Sequence, residues 1–138
     1  MMISSKGRYA LRVMLDLASV SGEGYVPSRD IAVRQGLSPK YLETIMTLLS
    51  KAGLIEGVHG KGGGYKLSVS PEECTVGRIL KLTEGSLSPV SCVHEGVAQC
   101  EHAESCPTVG VFARLDRIID EYLESVTVSD LLRESAAV

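Results

Sequence analysis

The chain has no tryptophan, a single phenylalanine and only 4% aromatic residues in a length of 138. Its core must therefore be built from aliphatic side chains, which are plentiful because 44% of the residues are hydrophobic. A core of leucine, valine, isoleucine and alanine favours packed helices over a large β-sandwich. The length fits one modest domain, or a small domain with an added arm.

Long apolar runs are also missing. No stretch approaches the ~18 residues that a membrane-spanning helix requires. The N-terminal segment starts with basic residues, but Arg12 and Asp16 interrupt the apolar stretch that a signal peptide would need. We therefore expect a cytoplasmic protein.

An overall positive charge is absent as well, since the formal net charge is -3. The two halves nevertheless differ, because residues 1–70 contain nine Lys/Arg against five Asp/Glu, which gives +4. Residues 71–138 contain five basic and twelve acidic residues, which gives -7. A polyanion would be attracted to the first half and repelled by the second.

The first half contains the pattern of a helix-turn-helix. Apolar spacing predicts a helix over residues 5–20, and a shorter one follows with Ser28 as its N-cap. Gly36 ends the second helix, and a third begins with Ser38 as N-cap and Pro39 in its first turn. A short helix, a tight glycine turn and a second capped helix are typical of DNA-binding helix pairs.

A β-hairpin follows the third helix. Residues 54–59 and 64–69 alternate as strands do, and the glycine-rich segment between them can form a tight tip. The predicted fold is mostly α with a small β-hairpin wing, a winged helix-turn-helix over residues 1–84. The glycine-rich segment lacks the spacing of a phosphate-binding P-loop. We find no nucleophile–base pair or catalytic carboxylate pair, so no enzyme and no catalytic residue is predicted.

The third helix and the wing supply the residues expected to contact DNA. A recognition helix presents its first turns to the major groove, while caps and backbone amides meet phosphates. Glu43 could read a cytosine amino group or simply face solvent. His59 could enter the minor groove or be an ordinary exposed strand histidine. The candidate DNA-binding residues are Ser28, Ser38, Pro39, Lys40, Tyr41, Glu43, Thr44, His59, Gly60, Lys61, Gly62, Gly63 and Gly64.

The second half is predicted to hold a fourth helix over residues 75–84, an irregular loop over 85–107 and a helical arm over 108–138. An apolar stripe of four to five turns runs along the arm, at Val111, Phe112, Leu115, Ile118, Ile119, Tyr122, Leu123 and Val126. This helix either packs onto its own domain or, as we expect, forms a homodimer through residues 108–126. A final short helix is predicted near 129–133.

Four cysteines occur, and three of them lie in the irregular loop. Cys92, Cys100 and Cys106 are separated by seven and then five residues, without the close Cys-x-x-Cys pair that zinc sites usually contain. This looser spacing suits an iron–sulfur cluster, and Cys106 precedes the long helix, whose positive end would stabilise a thiolate. Zinc, a thiol redox switch and three ordinary cysteines are the alternatives. Cys74 lies apart from the trio and is interpreted as structural.

Several segments resemble the Rrf2 family of bacterial transcription regulators: SKGRYALRVMLDLA, SPKYLETIMTLLSKAGLI and GKGGGYKLS, followed by three spaced cysteines and a long terminal helix. The similarity is greatest to its iron–sulfur branch of IscR-, NsrR- and RirA-like regulators. It implies a homodimeric winged-helix protein whose affinity for a double-stranded DNA operator depends on a 2Fe–2S or 4Fe–4S cluster. The three loop cysteines carry over as ligands, and Tyr41, Glu43 and the glycine-rich wing also match.

The sequence departs from the family pattern at three positions. Val109 stands where IscR-like members place a histidine ligand, and Arg8 stands where some NsrR-like members supply an acidic ligand. His59 replaces the usual wing arginine of IscR-like members. The fourth ligand therefore stays open. A small thiol or water could serve, and four side chains are within reach by sequence: His102, His94, Glu101 and Glu104.

The resulting hypothesis is a transcription regulator, a repressor in its simplest form, that senses iron, cluster supply, nitric oxide or oxidation. The alternative is a cluster-free repressor of the same fold that responds to thiol redox state or controls cysteine metabolism with a partner enzyme. An electron carrier or metal-storage module would leave the wing and the charge division unexplained.

Overall fold

The computed structural model describes residues 3–20, 24–94 and 97–137. Its helices are α1 (Ser5–Ser19), α2 (Ser28–Gln35), α3 (Pro39–Lys51), α4 (Val76–Glu84), α5 (Val109–Ser125) and α6 (Val128–Ala137). Its strands are β1 (Ile55–Val58), β2 (Gly64–Leu67), β3 (Val93–His94) and β4 (Val97–Ala98). The predicted fold class, mostly α with a β-hairpin wing, is therefore confirmed. Within those described ranges, no helix has both the length and the apolarity needed to cross a membrane.

Side-chain caps begin four of the described helices. The hydroxyl of Ser38 accepts a hydrogen bond of 3.1 Å from the backbone N–H of Tyr41, as the sequence predicts. Ser4, Thr75 and Thr127 cap α1, α4 and α6 in the same way. Ser28 was expected to cap α2, and this prediction is wrong. Ser28 is the first helical residue, because Pro27 occupies the N-cap position and its carbonyl accepts from the N–H groups of Asp30 and Ile31.

The main core lies between the first three helices and the base of the wing. Met14, Ile31, Leu42 and Ile45 are at most 1% exposed, so each helix contributes its apolar stripe to one cluster. Val128, at the start of α6, is buried in the same cluster. The last helix is longer than the 129–133 segment predicted, and its first turn completes the core of the DNA-binding half.

The wing is attached to the segment that precedes α2. Strands β1 and β2 pair antiparallel, with Ile55 opposite Leu67 and Val58 opposite Gly64. Val26 and Tyr65 exchange two backbone hydrogen bonds of 2.8 Å, which form a single antiparallel bridge to the hairpin. The orientation of the wing is thus fixed relative to the start of α2.

The loop between α4 and α5 contains more structure than the sequence predicts. Strands β3 and β4 pair antiparallel over two residues each, with Val93 opposite Ala98, and residues 95–96 lie outside the described ranges. The N–H of Gln99 donates to the carbonyl of Cys92 at 2.7 Å and closes this hairpin. Two residues per strand are too few to produce a recognisable alternation, so the expectation of a loop without regular structure was wrong here.

Helix α5 has two apolar faces rather than one. Ile119 and Leu123, with Val126 just after the helix, pack against a second small cluster formed by Val76, Leu80 and Leu87. Four other members of the predicted stripe are exposed: Val111, Leu115, Ile118 and Tyr122. These four share a second face because they are spaced four, three and four residues apart. The stripe therefore serves packing within the chain on one side and leaves an apolar surface on the other.

Candidate nucleic-acid interface and cysteine loop

A groove of about 690 Å³ separates the outer face of α3 from the wing. The start of α2 forms its end, and eight of the predicted DNA-binding residues line it: Ser28, Pro39, Lys40, Glu43, His59, Gly60, Gly63 and Gly64. The third helix reaches this groove with exposed side chains because its buried stripe (Leu42, Ile45, Met46 and Leu49) faces the core. The fold thus brings the recognition helix and the wing to one concave surface.

The remaining predicted contacts lie around this groove. Ser38 caps α3, Lys61 and Gly62 lie exposed at the tip of the wing, and Thr44 is exposed on the outer face of α3. Tyr41 differs from them because it is half-buried, with its ring edge-on to Tyr9 at a centroid distance of 6.0 Å. Tyr41 therefore also joins α3 to α1.

A buried carboxylate joins the first two helices. The side chain of Asp16 is 3% exposed, and Arg34 donates to its two oxygens at 2.7 and 3.0 Å. Gln35 donates a third hydrogen bond of 2.7 Å and accepts one of 2.9 Å from Arg12, whose guanidinium lies 5.1 Å from the ring centroid of Tyr9. We call this group the Asp16 clamp. Burial raises the pKa of Asp16, but the hydrogen bonds from Arg34 and Gln35 and the charge of Arg34 outweigh that effect, and the net pKa is lowered.

Sequence reasoning missed a basic residue of the groove, Arg29. It is exposed in the first turn of α2 and lines the groove beside Ser28. The sequence could have indicated this contact, because Arg29 is a basic residue next to the predicted contact Ser28 at the start of α2. The members of the Asp16 clamp were equally hidden, because Asp16 and Arg34 are 18 residues apart.

The loop cysteines are half-buried. Neither Cys92, Cys100 nor Cys106 forms a disulfide. The Cys106 sulfur lies 3.4 Å from the hydroxyl of Thr108, the N-cap of α5, so the thiol is at the start of the long helix as predicted. Hydrogen bonds from the Thr108 hydroxyl and then from the backbone lower the pKa of Cys106. Cys74 is fully buried in the main core, where desolvation raises its pKa.

The described residues do not gather these thiols into a metal centre. Within the ranges 3–20, 24–94 and 97–137, no group of three or more cysteine, histidine or acidic side chains converges on one point. His94 instead lines a separate cavity of 370 Å³ between α4 and α5. His102, Glu101 and Glu104 are exposed in the turns between β4 and α5. Three thiols are suitable ligands for an iron–sulfur cluster. In the described conformation they lie apart, so the loop would have to close in order to bind one.

A capped helix presented beside a glycine-rich hairpin defines a winged helix-turn-helix, a class of DNA-binding protein. The profile of the Rrf2 family, described as an iron-dependent transcriptional regulator, matches residues 3–134. The chain therefore belongs to the Rrf2 family of transcription regulators. It is a DNA-binding regulator and not an enzyme.

Named relatives and solved structures agree with this assignment. The regulator IscR of Aliivibrio salmonicida is 38% identical over 96% of this chain and 77% of its own length. IscR of Pectobacterium carotovorum is 39% identical over 96% of this chain and 79% of its own length. The structure of CymR, the global cysteine regulator of B. subtilis, superimposes with a TM-score of 0.80 at 35% identity, covering 97% of this chain and 98% of that one. T. potens IscR gives a TM-score of 0.75 at 37% identity, covering 98% and 88%.

Proposed function

We propose that this regulator reads an operator with the groove between α3 and the wing, and that an iron–sulfur cluster controls its affinity. The observation that carries the first part is the convergence of predicted contacts on one groove. Lys40 and Lys61, with the wing amides, meet phosphates, and Glu43 accepts a hydrogen bond from a base. Such a protein acts in the bacterial cytoplasm, where the operator lies.

The cysteine loop supports the second part. Cys92, Cys100 and Cys106 are three unpaired thiols on one short segment, and the family description is iron-dependent. They would hold the cluster, with a fourth ligand from His102, His94, Glu101 or Glu104. A bound cluster would supply a redox- and iron-sensitive link between these thiols. Closing the loop around it would hold the three cysteines together and fix the start of α5.

These assignments divide the chain into three functional segments. Residues 1–84 form the DNA-binding domain, residues 85–107 the cluster-binding loop, and residues 108–138 the dimerisation helix with its terminal segment. The exposed face of α5 supports dimerisation, because four large apolar side chains lie on it without a partner in the described chain. A dimer would present two recognition helices to two half-sites.

The cofactor can be tested by purifying the protein anaerobically and measuring its visible spectrum and its iron and sulfide content. We expect a coloured protein with visible absorption bands, and iron and acid-labile sulfide in equal amounts. The triple change of Cys92, Cys100 and Cys106 to serine should remove both elements, whereas Cys74→Ala, outside the loop and without a new buried hydroxyl, serves as the control and should keep them. A parent protein that stays colourless and iron-free after reconstitution would refute cluster control.

A second function is favoured by a specific observation. The thiols are not gathered in the described conformation, and the CymR structure is as similar in fold as that of IscR. A cluster-free repressor that responds to thiol redox state or cysteine metabolism fits both points. It predicts a colourless protein whose DNA affinity changes on oxidation of the loop cysteines.

The assignment of DNA contacts has its own test. Lys61→Gln should weaken binding to all sequences by a similar factor, because a phosphate contact carries no sequence information. Glu43→Gln should instead change the preference at one base pair. Binding titrations against a library of single-base-pair variants distinguish the two, and identical profiles would contradict the assigned roles.

A further inference from the structure

The outer face of α3 is flanked by two concave surfaces, only one of which faces the wing. The second has a volume of 550 Å³ and lies between α3 and the beginning of α1. Its polar lining consists of Lys6, Lys40, Glu43, Thr44, Thr47 and Lys51, and we call it the lysine surface. Lys40 and Glu43 line both concavities, so they form the ridge between them.

The charge of the lysine surface is strongly one-sided. It carries three lysines and one carboxylate. Among the described residues, no ion pair includes Lys6, Lys40 or Lys51. Lys6 interacts electrostatically with Glu84. The carboxylate of Glu84 already accepts hydrogen bonds from Ser4 and Thr83. Positive charge of this kind is available to an external anion.

The geometry of a helix in DNA indicates which anion. An α-helix with its side chains is about 10–12 Å across, and the major groove of B-DNA is about 12 Å wide. A helix inserted there has one phosphate strand along each flank. The wing groove supplies Arg29 and the hairpin amides on one flank, and the lysine surface supplies the other.

We propose that the lysine surface binds the phosphates of the second DNA strand, with Lys6 and Lys51 as the principal contacts and Thr47 as an added hydrogen-bond donor. This inference rests on the proposed docking of α3 in the major groove and extends it to a second strand. Lys6 lies in the first turn of α1, so α1 takes part in DNA binding directly as well as through packing. Neither Lys6, Thr47 nor Lys51 was among the contacts expected from the sequence.

The salt dependence of DNA binding tests the proposal. The probe is a 25-base-pair duplex of random sequence, titrated with the full-length parent and with the double variant Lys6→Gln/Lys51→Gln. Each phosphate contact contributes about -0.9 to the slope of log affinity against log salt, so the double variant should lose about 1.8 of slope. Arg114→Gln removes one positive charge from the exposed surface of α5 and should leave the slope unchanged.

Ethylation interference on a duplex selected by the parent protein assigns the strand. Ethylated phosphates that Lys6→Gln no longer senses should lie on the opposite strand from those that Lys61→Gln no longer senses. A slope change below about 0.9 in the double variant, or loss of interference on the same strand for both, would overturn the proposal. If the parent itself binds without salt dependence, the docking of α3 and the wing fails instead, so the two failures are distinguishable.

Discussion

The Asp16 carboxylate provides a direct test of how α2 is held. Asp16→Asn keeps the size of the side chain but removes the charge that Arg34 engages. We expect a loss of about 1.5–3 kcal/mol in the free energy of unfolding at pH 7, the range of hydrogen bonds to charged groups. Urea denaturation measures this loss. Glu134→Gln, an exposed acid on α6, is the control and should change little.

The same variant should alter the response to acid. The pKa of Asp16 is lower in the folded chain than its ordinary value of 3.8, so the folded state favours the charged form. The stability that this provides is present above the unfolded pKa and is lost as pH falls through the folded pKa. The difference between parent and Asp16→Asn should therefore shrink below about pH 4. A difference that stays constant from pH 7 to pH 3 would contradict the clamp.

Gly64 and Gly62 form a matched pair in the wing. Both have positive φ values, of 150° and 78°. A Cβ atom on Gly64 would lie 2.2 Å from the carbonyl oxygen of Val26, whereas one on Gly62 would meet nothing within 4 Å. Gly62→Ala should therefore cost only the backbone strain, roughly 1–2 kcal/mol. Gly64→Ala should also break the pairing of Tyr65 with Val26.

The expected readout for this pair is DNA affinity as well as stability. With its attachment lost, the wing of Gly64→Ala should no longer face α3, and binding to an operator should weaken by at least tenfold. Gly62→Ala should keep affinity within about threefold, since it retains the backbone N–H that would meet a phosphate and its Cβ meets nothing within 4 Å. Equal losses in the two variants would mean that wing attachment does not position the contacts.

At the scale of elements, local signals explain which parts could be predicted. The first four helices and the wing follow from apolar period, the capping Ser38 and the glycine turn, all of which act within a few residues. The hairpin of β3 and β4 is too short for such a signal. The sequence predicted one apolar stripe on α5, whereas the structure has two apolar faces. Periodicity alone does not show which apolar positions pack against the rest of the chain.

In the candidate site, too, local features could be predicted from the sequence and features that depend on distant contacts could not. Positions such as Lys40 and His59 were predicted because helix and hairpin place them. The half-burial of Tyr41 depends on Tyr9, 32 residues earlier, and the lysine surface depends on α1 lying beside α3. The arrangement of the cysteines depends on an irregular backbone, which no periodicity describes.

The exposed face of α5 yields an element-scale prediction. Ile118 is 51% exposed at the centre of that face, so Ile118→Glu places a charge in the proposed dimer interface. We expect the parent to sediment as a dimer and the variant as a monomer at micromolar concentration. Val33→Glu is the control, because Val33 is 82% exposed on α2 and should leave the dimer intact. A parent that is monomeric, or a variant that stays dimeric, would contradict the assignment.

At the scale of the whole molecule, one joint connects the cysteine loop to the DNA-binding half. Helix α5 begins beside Cys106, and its second half meets α4 through Lys81, which lies 2.5 Å from an oxygen of Asp120 and 3.0 Å from one of Glu124. Thr75, the cap of α4, donates to Glu124 at 2.9 Å. Helix α4 in turn packs against α1, so a shift of α5 reaches the recognition helix through packed elements.

Lys81→Gln should therefore weaken communication more than folding or DNA binding. Each surface ion pair is worth about 0.2–1 kcal/mol, so losing two should reduce the ratio of DNA affinities between the iron-loaded and iron-free protein by on the order of fivefold. The affinity of the iron-free form should change little, because Lys81 lies outside the groove and the lysine surface. Arg133→Gln breaks an ion pair with Asp130 on α6, away from this joint, and should keep the parent ratio. Fluorescence anisotropy on both forms of each protein measures the ratios. If Lys81→Gln keeps the parent ratio, the signal passes from the cysteine loop to the DNA by a route other than the contact between α4 and α5.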